Sequence, residues 1–162
     1  MRRAAISHVA GGHTLYVITW IYSNGKERPL FSDCLELFEE IKVVTIHGSK
    51  VWEVYPQRPW QAALSHYLVP EILTFIREIE PDLIETSDYQ SPLFGYLTHR
   101  RAGLIPDIDF IPVVTSNHGG EHSLYRPAGK FMNLNSHHEI AAQRSMLRWS
   151  DGILVPSKLT GE

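Results

Sequence analysis

Apolar positions along the chain switch repeatedly between two periods. From Arg2 to Val9, Ala5, Ile6 and Val9 recur at helical spacing, and Gly11-Gly12 follows where a left-handed C-cap is expected. Leu15 to Trp20 is instead a continuous β-branched and aromatic run, which suits a strand buried on both faces of a parallel sheet. Reading Ala4 to Val9 as a strand with Gly11-Gly12 as its turn is the rival parse, but it would make Leu15 to Trp20 helical against its composition. Asn24-Gly25 and Pro29 mark a loop, and Asp33 to Glu40 is a helical turn or an irregular excursion. A second strand is predicted over Ile41 to Ile46, ending at His47-Gly48.

The second half repeats the alternation. Gln61 to Ile79 keeps a helical period through Leu64, Leu68, Ile72, Phe75, Ile76 and Ile79, and Pro70 bends or splits that helix because it lacks an amide donor. Glu80-Pro81 stops it before a strand at Asp82 to Glu85. Ser91 is expected to cap a helix with Pro92 at its first position, running to about Gly103. A strand over Ile111 to Thr115, a helix over His137 to Trp149 and a strand over Gly152 to Val155 complete the series. Strands alternating with helices predict an α/β protein, a Rossmann-like doubly wound parallel sheet in a single domain.

Three of these strands run into polar turns: Thr86-Ser87-Asp88-Tyr89, Ser116-Asn117-His118-Gly119-Gly120, and Pro156-Ser157. Ligands of open parallel sheets sit outside the carboxyl ends of the strands, so the three turns are expected to converge on one cleft.

Composition narrows what the cleft can take. The chain has 162 residues and a formal net charge of −3 without a basic block, which argues against a nucleic-acid or anionic-membrane surface. Its single Cys34 allows no internal disulfide or thiolate knuckle and fits a reducing cytoplasm. Arg2-Arg3 are followed by an apolar stretch broken by Ser7, His8, Gly11, Gly12 and His13, so neither a signal-peptide core nor a membrane span is expected.

Within the cleft, His118 is the candidate catalytic residue: Gly119-Gly120 lets the backbone approach a ligand, and an imidazole can bond a ligand hydroxyl or shuttle a proton. The plainer reading is a loop histidine that caps backbone groups. Asp88 and Tyr89 suit a ligand's hydroxyls and ring face, although an Asp before a helix is also an ordinary N-cap. Asn117, Gly119 and Ser157 complete the substrate-binding set, Ser157 doubling as an N-cap for a helix from Lys158. His118 to His122 also spells H-x-x-E-H, a zinc pattern that needs a helix to bring both imidazoles to one face. Gly119 and Gly120 oppose that helix, each by about 1 kcal/mol relative to Ala, so no metal is expected. Trp20, Trp52, Trp60 and Trp149 read as packing residues, with part of a ligand wall as the alternative for Trp52 to Tyr55.

Four segments in order carry a resemblance. Gly12-His13-Thr14-Leu15-Tyr16-Val17-Ile18-Thr19 comes first, then Pro81-Asp82-Leu83-Ile84-Glu85 with Asp88-Tyr89. Pro112-Val113-Val114-Thr115 with His118-Gly119 and then Ser150 to Ser157 complete them. Together they resemble the landmarks of the amino-terminal half of family 4 glycosyltransferases over nearly the whole chain. The resemblance implies half of a GT-B arrangement, in which this domain holds the sugar acceptor and a second Rossmann-like domain binds the nucleotide-sugar donor. It implies a retaining transfer with His118 near the transferred sugar, and no cofactor. It also implies that a first strand before Arg2 and the donor domain after Glu162 are missing, so that the isolated chain is inactive. A zinc hydrolase using His118, Glu121 and His122, and a non-catalytic carbohydrate-binding fragment, are the alternatives.

Overall fold

Five parallel strands in two hydrogen-bonded groups organise the computed structural model, which describes residues 2–22, 35–56, 60–106, 110–117 and 134–155. The chain divides into two compact units, Met1–Val51 and Trp52–Glu162.

The first unit begins with helix α1 (Arg2–Ala10). Gly12 adopts φ +85°, where a side chain would be strained, and the chain reverses there through bonds from Gly12 N to Val9 O (3.0 Å) and His13 N to His8 O (3.1 Å). The segment is therefore the predicted helix with a left-handed cap, and its rival reading as a strand is excluded. Strand β1 (Tyr16–Tyr22) pairs in parallel with β2 (Glu40–Ile46), from Tyr16 opposite Glu40 to Tyr22 opposite Ile46. β1 starts one residue later than predicted, and its positions 17–20 are half-buried rather than sealed on both faces. The ambiguous Asp33 to Glu40 stretch contains a 3-10 turn at Leu35–Leu37; Glu39 N then bonds Leu15 O (2.7 Å) and leads the chain into β2. Val44 and Ile46, two apart and so on one face, are buried, as is Val51 of α2 (Gly48–Val54). α2 was not expected: the His47 carbonyl accepts from Lys50 N and Val51 N, so the end of the strand is also the start of a helix.

In the second unit the long predicted helix is split, as Pro70 requires. α3 (Trp60–Tyr67) gives way at Leu68 to α4 (Val69–Ile79), and Pro70 lies in the first turn of α4, where a missing N–H costs nothing. Val69, Ile72, Phe75 and Ile76 form its buried face. β3 (Ile84–Ser87) sits two residues beyond the expected strand, leaving Leu83 half-exposed before it. α5 (Phe94–Arg101), β4 (Val113–Ser116), α6 (Leu134–Trp149) and β5 (Gly152–Leu154) follow in order. The sheet order is β3-β4-β5, all parallel, with Thr86 opposite Thr115 and Thr115 opposite Ile153. Parallel neighbours require crossovers, and α5 and α6 lie in those two connections. Tyr96, Leu97, Val113, Ile140 and Met146 fill the core they enclose. This is the parallel α/β, Rossmann-like class that the sequence predicts.

Two contacts fix the second unit. A Cβ added to Gly95 would lie 2.6 Å from the Ser65 carbonyl carbon and 2.7 Å from His66 Cα, so α3 and α5 cross backbone to backbone. At the amino ends of the strands, Arg100 forms a two-pronged bond to Asp151 (Nη1 to Oδ2 2.8 Å, Nη2 to Oδ1 2.6 Å) and donates to Ile111 O (3.3 Å). Asp151 Oδ2 also accepts from Val113 N (2.8 Å), and Asp151 N donates to Val113 O (2.8 Å). The Arg100 guanidinium stacks 3.8 Å from the centre of the Phe110 ring.

Candidate functional site

Main-chain bonds continue past the ends of the second unit's sheet and gather three of the expected residues at its carboxyl edge. Asp88 N donates to Ser116 O (3.0 Å), and Asn117 N donates to Leu154 O (2.7 Å). The turn after β3 is thereby tied to the end of β4, and the turn after β4 to the end of β5. Tyr89 N is held by Ser87 Oγ (3.1 Å), and the Tyr89 side chain projects into solvent, 57% exposed. Asn117 is half-buried. Asp88 is 0% exposed, so its carboxylate faces the protein interior beneath the turn.

The loop that follows departs from the expectation for Ser91. Gln90 (φ +61°) and Ser91 (φ +48°) are consecutive left-handed residues, neither of them glycine, each costing about 1–2 kcal/mol. Ser91 does not cap α5 with its side chain: the N-cap is Leu93, which makes no side-chain cap bond. The Ser91 carbonyl instead accepts from Phe94 N (3.0 Å), while the buried Ser91 hydroxyl has no hydrogen-bond partner among the described residues. In the left-handed conformation the carbonyl rather than the side chain is turned towards the first free amide of the helix. Asp88 is not its N-cap either. Strain of this kind persists where surrounding structure holds it, and it adjoins candidate ligand residues here.

Two polar pairs missed in the sequence brace the sheet, the first at this edge and the second further back. Ser116 Oγ donates to Glu85 Oε1 across the β3–β4 pair (3.1 Å). Behind the sheet, the buried Thr115 hydroxyl lies 2.6 Å from Ser150 Oγ, which gives its proton to Met146 O (2.8 Å). Ser150 has one proton, so Thr115 is the donor of the pair. Only periodicity could have flagged these pairs, through the polar residue among apolar ones at position 115.

His118, Gly119 and Ser157 lie outside the described residues, as do Glu121 and His122 of the H-x-x-E-H segment. Among the described residues no group of three His, Cys, Asp or Glu side chains is placed to hold a metal ion, and no helix is long and apolar enough to cross a membrane. The fold lowers the pKa of Asp151: the two-pronged Arg100 bond, aided by Val113 N–H, holds its carboxyl below the usual 3.8 against partial burial. It belongs to the opposite end of the strands from Asp88, Tyr89 and Asn117.

Away from the carboxyl edge, Trp52 rests on Trp60 with ring centres 5.3 Å apart while remaining 44% exposed. Tyr55 instead lines a groove with residues of α3, α4 and α5, a groove that Asp88, Tyr89 and Asn117 do not reach.

Comparison with known proteins gives one match, and no curated protein or solved structure matches the chain significantly. The match is to the family model described as Glycosyltransferase Family 4, and it spans residues 2–162. It covers α1, both parallel strand groups and the carboxyl-edge turns alike, so the chain belongs to glycosyltransferase family 4.

Proposed function

We propose that the chain is the acceptor-side domain of a nucleotide-sugar-dependent, retaining glycosyltransferase. Membership of the family supports a sugar-transferring role, and the observation that carries the finer reading is the gathering of Asp88, Tyr89 and Asn117 at one carboxyl edge of a parallel sheet. Tyr89 offers an exposed aromatic face to a sugar ring, and Asn117 brings both a donor and an acceptor to its hydroxyls. Asp88 is sealed beneath, and its carbonyl accepts from Ser91 N (3.2 Å) across the strained turn that presents Tyr89. His118, one residue past Asn117, is placed by sequence to meet the transferred sugar.

In this reading an acceptor hydroxyl held at the edge attacks the anomeric carbon on the same face from which the nucleoside diphosphate departs, the carbon–oxygen bond to the diphosphate breaks, and the hydroxyl proton passes to the departing diphosphate oxygen. The leaving charge is stabilised by cationic groups and a helix amino end in a second domain. The residues described here position the acceptor and do not ionise during transfer. The lone Cys34 fits action in a reducing cytoplasm.

Assays in the full enzyme test the reading. His118→Ala should lower turnover by on the order of a hundredfold, the effect of a misplaced reacting group, while leaving the melting temperature nearly unchanged. Tyr89→Ala should raise KM for the acceptor more than it lowers kcat. Normal turnover in the His118 variant would remove that residue from the transfer step. Micromolar binding of UDP-glucose or GDP-mannose to residues 1–162 alone, by calorimetry, would overturn the division of labour between the domains.

A further inference from the structure

The groove between α3, α4 and α5 is lined by none of the carboxyl-edge residues Asp88, Tyr89 and Asn117, and its lining is chemically selective. Its volume is about 390 Å³, within the range of small-molecule sites. Val69, Pro70 and Leu73 give it an apolar wall. Val69 belongs to the buried face of α4, while Pro70 and Leu73 extend the apolar surface beyond Ile72, Phe75 and Ile76 to the adjoining side of this short helix. Across from that wall stand two imidazoles, His66 and His99, with ring centres 5.4 Å apart. His66 is 6% exposed, and the rings of Tyr55 (5.9 Å) and Phe94 (5.7 Å) hold it on its other sides. Its orientation is therefore set by packing before any ligand arrives. Arg77, one turn along α4 from Leu73 and Thr74, closes the groove at its exposed end.

Among the described residues that line the groove no side chain is acidic, so the charge it offers is the Arg77 guanidinium, supported by imidazole and hydroxyl donors. A guanidinium fork matches the paired oxygens of a carboxylate or phosphoryl group. The apolar wall suits a ring or short alkyl body, and Tyr55 adds an aromatic face. We propose that this groove binds a small organic anion, a compact apolar body ending in a carboxylate or phosphoryl group, with the acid towards Arg77 and the body against Pro70 and Leu73. The proposal does not depend on the transferase reading, because none of the carboxyl-edge residues lines the groove.

Phenyl phosphate is a suitable probe, followed through the imidazole carbon–proton resonances of His66 and His99 in the full chain. The expected result is a saturable shift of both rings, with inorganic phosphate and benzyl alcohol each binding at least about tenfold more weakly, since each engages half of the groove. Arg77→Gln, assayed well below its own melting temperature, should lose about tenfold in phenyl phosphate affinity, equivalent to about 1.4 kcal/mol. No shift at His66 and His99 would overturn the proposal. So would benzyl alcohol binding as tightly as phenyl phosphate, a comparison that needs no variant, or an Arg77→Gln protein that binds the probe unchanged.

Discussion

Adding a single methyl group at Gly95 tests the packing on which the second unit depends. The new Cβ would stand 2.6 Å from the Ser65 carbonyl carbon and 2.7 Å from His66 Cα, where ordinary contact begins near 3.4 Å. Every one of those neighbours is backbone, so no side chain can turn aside; α3 and α5 must part by roughly 1 Å and give up dispersion contacts along the crossing. Overpacking of this kind costs about 1–3 kcal/mol where the surroundings adapt, and a backbone-to-backbone crossing belongs at the upper end. Ala is a better helix former than Gly by about 1 kcal/mol, which offsets part of the loss. The net expectation for Gly95→Ala is a destabilisation of about 2 kcal/mol, seen as a fall of roughly 8 °C in the melting temperature by far-ultraviolet circular dichroism. Gly152→Ala is the control: its Cβ meets the Val114 side chain at 3.3 Å, and a rotamer change can relieve that. Its cost should stay within about 1 kcal/mol. An unchanged or raised melting temperature for Gly95→Ala would show that the helices do not cross as closely as described.

Asp151→Asn should lower stability at neutral pH by about 1 kcal/mol, a modest figure because the carboxylate is 40% exposed and screened. Since Asp151 is more acidic folded than unfolded, its contribution is complete above about 3.8 and is lost as pH falls through the lowered value. The gap between wild type and variant in thermal melts should therefore close in strong acid, and a gap that persists there would rule out the Arg100 bond as its source. Glu80→Gly should stabilise by about 1 kcal/mol, because Glu80 closes α4 in the left-handed region at φ +46°. Urea titration reads the change, and a lower midpoint would mean that the Glu80 side chain contributes more than its strain costs.

Regular elements were legible wherever side-chain periodicity and backbone preference agree. The Gly12 cap, the break at Pro70 and the parallel strands are such cases, since each follows from a residue whose backbone options are few. β3 was placed two residues early because Leu83, 51% exposed, looks like a core position in sequence. α2 was missed because Gly48 reads as an ending, although the His47 carbonyl makes it a beginning. At the carboxyl edge, the convergence of Asp88, Tyr89 and Asn117 could be anticipated from topology. What could not be anticipated is the inward Asp88 and the left-handed pair Gln90-Ser91, for Ser91-Pro92 carries every mark of an ordinary helix start. Those conformations are imposed by tertiary contacts, which no local preference encodes.

The two ends of the three-stranded sheet are secured by different means. At the amino ends the bond from Arg100 to Asp151 depends on particular side chains, and either substitution breaks it. At the carboxyl ends the turns are tied by main-chain atoms, Asp88 N to Ser116 O and Asn117 N to Leu154 O, which any residue other than proline at the donor position could supply. Heredity can therefore act on the two ends independently. Substitutions at Tyr89 or Asn117 leave the main-chain ties whole, so a lineage carrying this sheet is free to vary those side chains one residue at a time, while Arg100 and Asp151 are held in place by the need to fold.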